Sequence, residues 1–499
     1  MNGPGKSDRS TVPEKPSNKG HAAARPAERV EGKDLAKGNS GQQTRSRTQS
    51  RARLQQALDR VRQAARKDRG LRLNALWHHV YDVERLREAY FSLKRTAAPG
   101  MDGQTWQHYG QALEENLADL SARLQRGAYR TKPVRRVWIP KADGRERPIG
   151  VPTLEDKIVQ RAAAEVIGAV FDADFKGFSY GFRPARSAHN ALDAVVVGLK
   201  RKKIGWILDA DIRGFFDTID HGWLMKFVEH RIADQRVHRH VKKWLKAGVL
   251  EDGQRTVMEE GTPQGGSISP LLANIYLHYV LDAWADSWRR KRAMGDVILV
   301  RYADDFLVGF QHRAEAERFL AELRERFRSF GLELHPDKTR LIRFGRFAAE
   351  ECRRRGEGKP ESFDFLGFTH LCGKTKSGAF QIIRYTSRKR LRASLRRVKA
   401  ELRMRRHHPL PEVGQWLRAV VQGHLNYFAV HGNYRRIQAF RNQCLVHWHK
   451  AASRRSQKGY VDWRRMYRLA KRWLPPVRIL HPWPEERLCV TTCGKSPVR

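Results

Sequence analysis

The stretch that decides the fold is Val297-Ile-Leu-Val-Arg-Tyr-Ala-Asp304-Asp305-Phe-Leu-Val-Gly-Phe310, in which two adjacent acidic residues separate two apolar runs. Apolar runs of this length predict two short strands in a hairpin that carries both carboxylates at its tip. Adjacent like charges repel each other, and an apolar setting strengthens the repulsion, so a divalent cation would stabilise the pair. Hard oxygen ligands suit Mg²⁺, which usually takes one or two carboxylates per ion together with phosphate oxygens and water. An isolated Asp-Asp is more often a surface turn, so the assignment depends on the segments around it.

A second acidic segment lies upstream, where the apolar run 204–208 leads directly into Asp209-Ala-Asp211. Two metal ions that stabilise the attacking and leaving oxygens of a phosphoryl transfer need carboxylates from at least two chain segments. Asp211, together with Asp304 and Asp305, supplies such a set. On spacing alone, Asp209 competes with Asp211 for the same role.

Helix-like and strand-like patterns alternate through the middle of the chain, and they predict an α+β fold with helices packed on one face of a sheet. The helical patterns cover 153–170, 186–200 and 314–330, and the strand-like runs cover 204–212, 297–302 and 306–310.

The charge of the chain points to a polyanionic partner. The 499 residues include 97 Lys and Arg but only 53 Asp and Glu, a net charge of +44, and such a field attracts nucleic acid.

With 40% hydrophobic residues the chain is not fully disordered, and no apolar run approaches the ~20 residues of a membrane span. The N-terminus has no secretory signal, and five scattered cysteines do not form a disulfide framework. We therefore expect a soluble cytoplasmic protein, associated with the nucleoid when it acts on DNA.

The positive charge is concentrated at the two ends of the chain. Residues 1–70 carry a net +10 and 371–499 a net +25. We expect 1–50 to be a disordered basic tail and 51–66 to form a short basic helix with Leu54, Leu58 and Val61 at helical spacing.

The segment 388–406 predicts a helix whose one apolar face is surrounded by Arg and Lys. The apolar positions are Leu391, Leu395, Val398 and Leu402. Because acidic partners are nearly absent, we interpret the basic surface as facing nucleic acid rather than as an ordinary solvated face. The candidate RNA-binding residues are Arg388, Lys389, Arg392, Arg396, Arg397 and Lys399.

The acidic segments belong to a series of seven blocks that resembles, in type and order, the sequence blocks of reverse transcriptases. The blocks are 139–150, 181–187, 211–217, 261–277, 302–305, 331–339 and 363–368. Seven ordered blocks are far more specific than any single motif, and the resemblance extends from about residue 75 to about residue 475.

Two further blocks, Ala98-Pro-Gly-Met-Asp-Gly103 and His424-Leu-Asn-Tyr-Phe428, make the chain similar to bacterial group II intron-encoded reverse transcriptase/maturases. Such enzymes assist splicing of their intron RNA and then copy it into DNA at a target site. Many carry a C-terminal His-Asn-His endonuclease with cysteine pairs. Here only Cys489 and Cys493 lie near the C-terminus, too few for a zinc site, so we expect a member without that domain.

The resemblance implies a right-hand polymerase of fingers and palm, with an antiparallel palm sheet, followed by an α-helical thumb/maturase domain. The boundaries that we expect are a tail over 1–50, an N-terminal extension over 51–130, fingers and palm over 131–370, thumb/maturase over 371–475 and a C-terminal tail over 476–499.

The same resemblance assigns the catalytic residues. Asp211, Asp304 and Asp305 are expected to hold two Mg²⁺ ions, with Mn²⁺ as a substitute, while a primer 3′-hydroxyl attacks the α-phosphate of a dNTP.

Five residues are implied in nucleotide binding. Lys141 and Arg147 would contact the triphosphate, and Lys338 would assist the pyrophosphate leaving group, although plain surface charge is the alternative for all three. Gln264 would hold the incoming nucleotide. Phe215 would lie against the sugar and exclude a 2′-hydroxyl.

The partners implied are group II intron RNA, an RNA template–DNA primer duplex, dNTPs and target DNA, with no membrane and no indication of oligomeric state. Two alternatives stay open at this point. One is a non-catalytic RNA-binding splicing cofactor, against which the clustered carboxylates argue because they repel RNA. The other is a domesticated reverse transcriptase in phage defence.

Overall fold

The computed structural model describes residues 40–140, 146–251, 254–256, 260–262, 265–455 and 459–488. Helices are numbered α1 Ser40–Lys67, α2 Trp77–Tyr81, α3 Val83–Ser92, α4 Trp106–Tyr109, α5 Leu113–Gln125, α6 Leu154–Phe171, α7 Ala188–Arg201, α8 His221–Arg231, α9 Gln235–Leu245, α10 Ser269–Leu277, α11 Ala283–Lys291, α12 Arg313–Ser329, α13 Ala348–Arg354, α14 Arg388–Met404, α15 Leu410–Phe428, α16 Tyr434–Ala452, α17 Trp463–Trp473 and α18 Pro484–Arg487. Strands are β1 Val134–Pro140, β2 Glu146–Val151, β3 Trp206–Ala210, β4 Val249–Glu251, β5 Gln254–Thr256, β6 Val297–Tyr302, β7 Asp305–Phe310, β8 Arg340–Arg343, β9 Phe363–Phe365, β10 Phe368–Lys374 and β11 Phe380–Thr386.

The strands form three sheets. The first has the order β2-β1-β4-β5, the second β6-β7-β3-β8 and the third β11-β10-β9. All pairings are antiparallel except β1 with β4. A mixed helix and sheet structure with antiparallel sheets confirms the predicted α+β class.

The second sheet is buried on both faces because alternate residues of its strands enter different cores. Leu208 and Val308 face a core built with α6, α10 and α12. Ile207 and Leu307 face the opposite way, toward α7 and the third sheet. Successive side chains of a strand point to opposite faces of the sheet. A slip of one residue would therefore move each side chain into the wrong core, and this fixes the register of the strands.

The predicted elements of this region are present. The three helical patterns correspond to α6, α7 and α12, and the strand-like runs correspond to β3, β6 and β7.

The N-terminal boundary differs from the prediction. Leu54, Leu58 and Val61 lie on a helix as expected, and all three are buried, but α1 begins at Ser40, inside the stretch expected to be a tail. A helix nucleated by a buried face extends easily, because each added residue gains a hydrogen bond without a new nucleation step. Residues 1–39 of the predicted tail lie outside the described residues.

The segment after α17 returns to the middle of the chain. Asp193 on α7 is completely buried and accepts from Arg384 of β11 (3.1 Å) and from Arg487 of α18. The backbone of this segment also bonds to the end of α15, where Leu480 N donates to Ala429 O (3.0 Å). Part of the predicted C-terminal tail is therefore ordered against α7, while Cys489 and Cys493 lie outside the described residues.

His370 provides a test of this packing. Its ring on β10 is fully buried and stacks on Phe363 at 4.7 Å with an interplanar angle of 3°. Burial, reinforced by the charge of Arg384, lowers the pKa of His370 to about 3. Because the unfolded chain takes up this proton near pH 6.5 and the folded chain does not, stability falls as the pH drops below 6.5 toward 3.

We predict that His370→Phe makes the pH dependence of unfolding shallower by about 1.4 kcal/mol per pH unit between pH 4 and 6, measured by urea denaturation. The phenyl ring keeps the stacking on Phe363 but does not titrate. His108→Phe, at an exposed position of α4, is the control and should leave the slope unchanged. Equal slopes for wild type and His370→Phe would contradict the assignment.

Candidate active site

The acidic hairpin is built as a tight two-residue turn. Tyr302 pairs with Asp305 at the ends of β6 and β7, which leaves Ala303 and Asp304 in the turn. Ala303 has φ +58°, a left-handed conformation that is unfavourable for a residue with a Cβ. Gly181 packs directly against the turn, and a Cβ there would collide with the backbone of Ala303. Something must therefore hold this turn in place.

The side chain of Arg301 holds it. Arg301 is 0% exposed and forms a bidentate ion pair with Asp282, through Nε (2.7 Å) and Nη2 (2.5 Å). Its Nη1 donates to Asn274 Oδ1 and to the carbonyl of Ala303 (both 2.9 Å), and Nη2 also donates to Ser179 Oγ (2.8 Å). All five N–H groups of the guanidinium are used, which meets the requirement for burying such a charge.

The carboxylate of Asp211 comes from a different chain segment. Asp211 directly follows β3, the neighbour of β7, and its Oδ2 accepts from Lys338 Nζ at 2.5 Å. Asp209, two residues earlier, forms an ion pair with Arg340 on β8 (3.3 Å). The structure thus gives each of the two rival carboxylates its own cationic partner.

The electrostatics show that these carboxylates lie close together. Although the Asp305 side chain reaches solvent, desolvation of its carboxyl group, followed by the charges of Asp304, Asp211 and Asp209, raises its pKa to about 7, against the lowering effect of Arg390. Desolvation also raises the pKa of Asp304, as does the charge of Asp211. A cation that enters the site relieves this repulsion between the carboxylates, and its binding is favoured for that reason.

The donor set suits a hard divalent cation, because it consists of carboxylate oxygens that repel one another. The ammonium group of Lys338 already neutralises Asp211 from one side. Within the described part of the chain, no three His, Cys, Asp or Glu side chains form a ready-made metal cage. Mg²⁺ is commonly held by one or two carboxylates plus the phosphates of a substrate, and the carboxylates present here can supply that share.

The structure describes some of the residues that were predicted to contact the triphosphate. Arg147 is exposed on β2, and it lies near enough to Asp304 to lower the pKa of that carboxyl group. Lys141 and Gln264 lie outside the described residues. Gly265, next to Gln264, has φ +122° and packs so closely on Gly150 of β2 that a Cβ would not fit. Gly265 therefore lies against the same hairpin as Arg147.

Phe215 is more buried than its predicted role suggests. The residue lies in a 3₁₀ turn, Phe215–Asp217, and only 3% of it is exposed. Its ring belongs to the same core as Leu208. Contact with a nucleotide sugar stays a prediction for this residue.

The block His424–Phe428 contacts the third sheet. Tyr427 donates through its hydroxyl to Leu366 O (2.9 Å), and Phe428 packs on Phe368 with ring centroids 5.1 Å apart. His424 stacks on Phe440, and Asn426 accepts through its carbonyl from His481 Nε2 in the appropriate tautomer. Packing therefore accounts for these side chains, as it does for Trp416, which lies under Arg405.

The predicted RNA-binding side chains share one property, which is exposure on α14. The apolar positions Val398 and Leu402 are buried against α15 and α16. The six predicted residues Arg388, Lys389, Arg392, Arg396, Arg397 and Lys399 are all exposed.

Sequence reasoning missed two residues that shape this site, Arg301 and Arg390. Arg301 directly precedes the acidic block, and the available signal was a charged residue inside an otherwise apolar strand, a position that demands a buried partner. Arg390, at the start of α14, is close enough to lower the pKa of Asp305, so this helix begins beside the carboxylates. No local pattern distinguishes Arg390 from its basic neighbours.

We predict that Arg301→Met lowers the free energy of unfolding by about 3–5 kcal/mol, because it leaves Asp282 buried without its partner. The variant should also speed amide hydrogen exchange in peptides that cover the turn at 303–304, measured by mass spectrometry under native conditions. Arg384→Met, which removes a buried ion pair with Asp193 between β11 and α7, is the control for general destabilisation. Turn exchange that rises equally in both variants would contradict a specific role for Arg301.

Comparison with known proteins identifies the family. The model of the family described as reverse transcriptase (RNA-dependent DNA polymerase) matches residues 139–370. The chain is 36% identical over 310 residues to protein YkfC of Escherichia coli K12, covering 55% of this chain and 81% of YkfC. It is also 42% identical over 168 residues to the group II intron-encoded protein LtrA of Lactococcus lactis subsp. cremoris, over 33% of this chain and 27% of LtrA. A putative COX1/OXI3 intron 1 protein of Saccharomyces cerevisiae is 26% identical over 436 residues, 73% of this chain and 51% of that protein.

The matched region runs from the end of β1 to the start of β10, and it contains Asp211, Asp304, Asp305 and Lys338. Across the described residues, no helix has both the length and the apolar character needed to cross a lipid bilayer. On the sequence match and the covered length of YkfC, the chain belongs to the reverse transcriptase family, the RNA-directed DNA polymerases.

Proposed function

We propose that this chain is the RNA-directed DNA polymerase of a group II intron, and that it also binds the intron RNA as a splicing maturase and supports its mobility. The observation that carries the proposal is the convergence of Asp211, Asp304 and Asp305 from two chain segments on neighbouring strands. The names of LtrA and of the yeast intron proteins support the intron assignment.

In this proposal the second sheet is the palm, the β1–β2 hairpin belongs to the fingers, and α14–α17 form the thumb/maturase domain over 371–475. The fingers and palm span 131–370, after an N-terminal extension over 51–130. The contact of Tyr427 with Leu366 would fix the thumb relative to the palm.

The reaction would be attack by a primer 3′-hydroxyl on the α-phosphate of a dNTP, with release of pyrophosphate. Two Mg²⁺ ions, when bound by Asp211, Asp304 and Asp305, would supply charge stabilisation at the attacking and leaving oxygens. The chain itself would mainly position the reactants, since phosphoryl transfer needs little covalent chemistry from the protein.

Lys338, which contacts Asp211, and Arg147, which lies near Asp304, would both serve the triphosphate. Lys338 is bound to Asp211 in this structure, so it would have to exchange that contact for phosphate as the cation enters. Arg147 is exposed and free to reach a phosphate oxygen. Lys141 and Gln264 complete the proposed nucleotide contacts.

The carboxylate cluster favours catalysis over a purely RNA-binding role. A protein that only binds RNA gains nothing from several carboxylates that raise one another's pKa, since they repel phosphates. Keeping them together is unfavourable for stability unless a cation is used at the site.

We predict that Asp304→Ala reduces primer extension on poly(rA)/oligo(dT) with Mg²⁺ by about a thousandfold or more, the equivalent of roughly 4 kcal/mol of transition-state stabilisation. Glu325→Ala, which changes an exposed carboxylate on α12, is the matched control and should extend the primer normally. If Asp304→Ala and wild type extend the primer equally, the proposed active site is wrong.

A second prediction concerns the basic face of α14. Replacing Arg392, Arg396 and Lys399 by Gln should make the plot of log binding constant against log salt shallower by about 2–3, because three phosphate contacts are lost. Binding of the intron RNA is measured by filter retention over a salt series. Gln at the exposed Arg353 and Arg354 of α13 and at Arg355, which follows it, removes equal charge elsewhere. An equal change in both variants would contradict the placement of RNA on α14.

A further inference from the structure

The last helices carry a cluster of aromatic rings that begins at the edge of the core, where Trp463 packs, and ends in two exposed tyrosines. Tyr460 is 72% exposed and Tyr467, on α17, is 60% exposed. Between them, Trp463 stacks on His449 at 4.0 Å, and Tyr467 lies 5.6 Å from Trp463 at an angle of 35°. Tyr460 meets the edge of His449 at 6.2 Å. The four rings form one continuous row, which we call the aromatic row.

The orientation of α17 explains why these rings face outward. Met466 and Ala470 are buried on the inner side of the helix, so Trp463 and Tyr467, four residues apart, share a side that leaves Tyr467 exposed. The helix is held firmly, because Trp473 packs so closely on Gly414 of α15 that a Cβ at Gly414 would collide with it. A rigid row of rings can accept a ligand without a large loss of conformational entropy.

The surface beside the aromatic row is strongly basic. The helix α17 contains five Arg and Lys residues and no acidic residue, and all five are exposed. Within the described ranges, no carboxylate forms an ion pair with Arg464, Arg465, Arg468 or Lys471. Arg464 and Lys471 are three and four residues from Tyr467, so they lie on the same side of the helix.

We propose that the aromatic row and the basic side chains of α17 form a binding site for unpaired nucleotides of RNA. Bases would stack on Tyr467 and Tyr460, while Arg464, Arg468 and Lys471 would contact the phosphates between them. Base pairs inside a duplex are covered on both faces by their neighbours, so the site distinguishes single strands from the interior of a duplex. The assignment rests on the proposed RNA-binding function and names the feature of the RNA that this surface selects.

The site differs from the basic face of α14 in its chemistry. The exposed positions of α14 named above are all Arg or Lys, which contact phosphates whether the bases are paired or not. The aromatic row adds a contact that depends on the bases. One thumb region would therefore hold the backbone of a helix on one surface and a loop or junction on another.

The test compares Tyr467→Ala with wild type by fluorescence anisotropy, using a labelled oligo(A) RNA and a blunt RNA duplex of the same length. We expect affinity for oligo(A) to fall by about fivefold to a hundredfold and affinity for the duplex to stay within about twofold. The salt dependence should keep its slope, because no charge is removed, whereas Arg468→Gln should lower the slope by about 0.7 on the single strand.

Tyr434→Ala is the matched control, since this tyrosine on α16 is 50% exposed but is not part of the aromatic row. Tyr467→Phe should restore stacking and hence affinity, and thermal melting checks that the variants are folded. Unchanged binding of oligo(A) by Tyr467→Ala, or equal losses on oligo(A) and duplex, would overturn the proposal. The polymerase test on Asp304 measures a different quantity, so either proposal can fail alone.

Discussion

The buried ion pair between Arg301 and Asp282 is the interaction on which the acidic site depends. The turn at Ala303 has an unfavourable backbone conformation and carries two carboxylates that repel each other. Arg301 opposes both effects, because it binds the Ala303 carbonyl and brings a positive charge near Asp304. Its partners Asn274 and Asp282 lie on the continuous helical segment formed by α10, a π-helical turn and α11, so this segment and the hairpin are fixed together.

The same network explains the close packing of the loop at Gly181. Asn274, which accepts from Arg301, donates through Nδ2 to the carbonyl of Gly181 (2.7 Å). Gly181 in turn leaves room for the backbone of Ala303. Three separated segments therefore meet around one guanidinium group, and each is constrained by the others. A fully satisfied polar network of this kind specifies one geometry more strictly than apolar contacts do.

The sequence allowed accurate prediction where structure is local. The hairpin at 297–310 and the helix at 153–170 follow from periodicity. In both, the spacing of the apolar side chains matches faces that are buried against neighbouring elements. The carboxylates could be paired across segments only through resemblance, since spacing alone left Asp209 and Asp211 equal. In the structure, Arg340 binds Asp209 and Lys338 binds Asp211, and neither contact has a sequence signal.

Long-range contacts were beyond sequence reasoning for the same physical reason. The partners of Asp193 are Arg384 and Arg487, which are separated from it by 191 and 294 positions in the chain. A local pattern carries no information about which distant cation satisfies a buried carboxylate. The return of the C-terminal segment to α7, and the start of α1 within the expected tail, are consequences of packing that the chain reveals only when folded.

The distribution of charge follows from what each region must hold. A region that keeps several carboxylates together cannot also be strongly basic, because nearby cations would neutralise the carboxylates permanently and leave them unavailable to a metal. The site keeps only a few, such as Lys338 and Arg147, and those are exposed enough to exchange partners. Much of the excess over 371–499 lies instead on α14 to α17, whose inner faces are apolar and whose exposed Arg and Lys can reach phosphate. Separation of the two kinds of charge along the chain thus permits one protein to bind both a cation and a polyanion, which requires opposite fields at neighbouring surfaces.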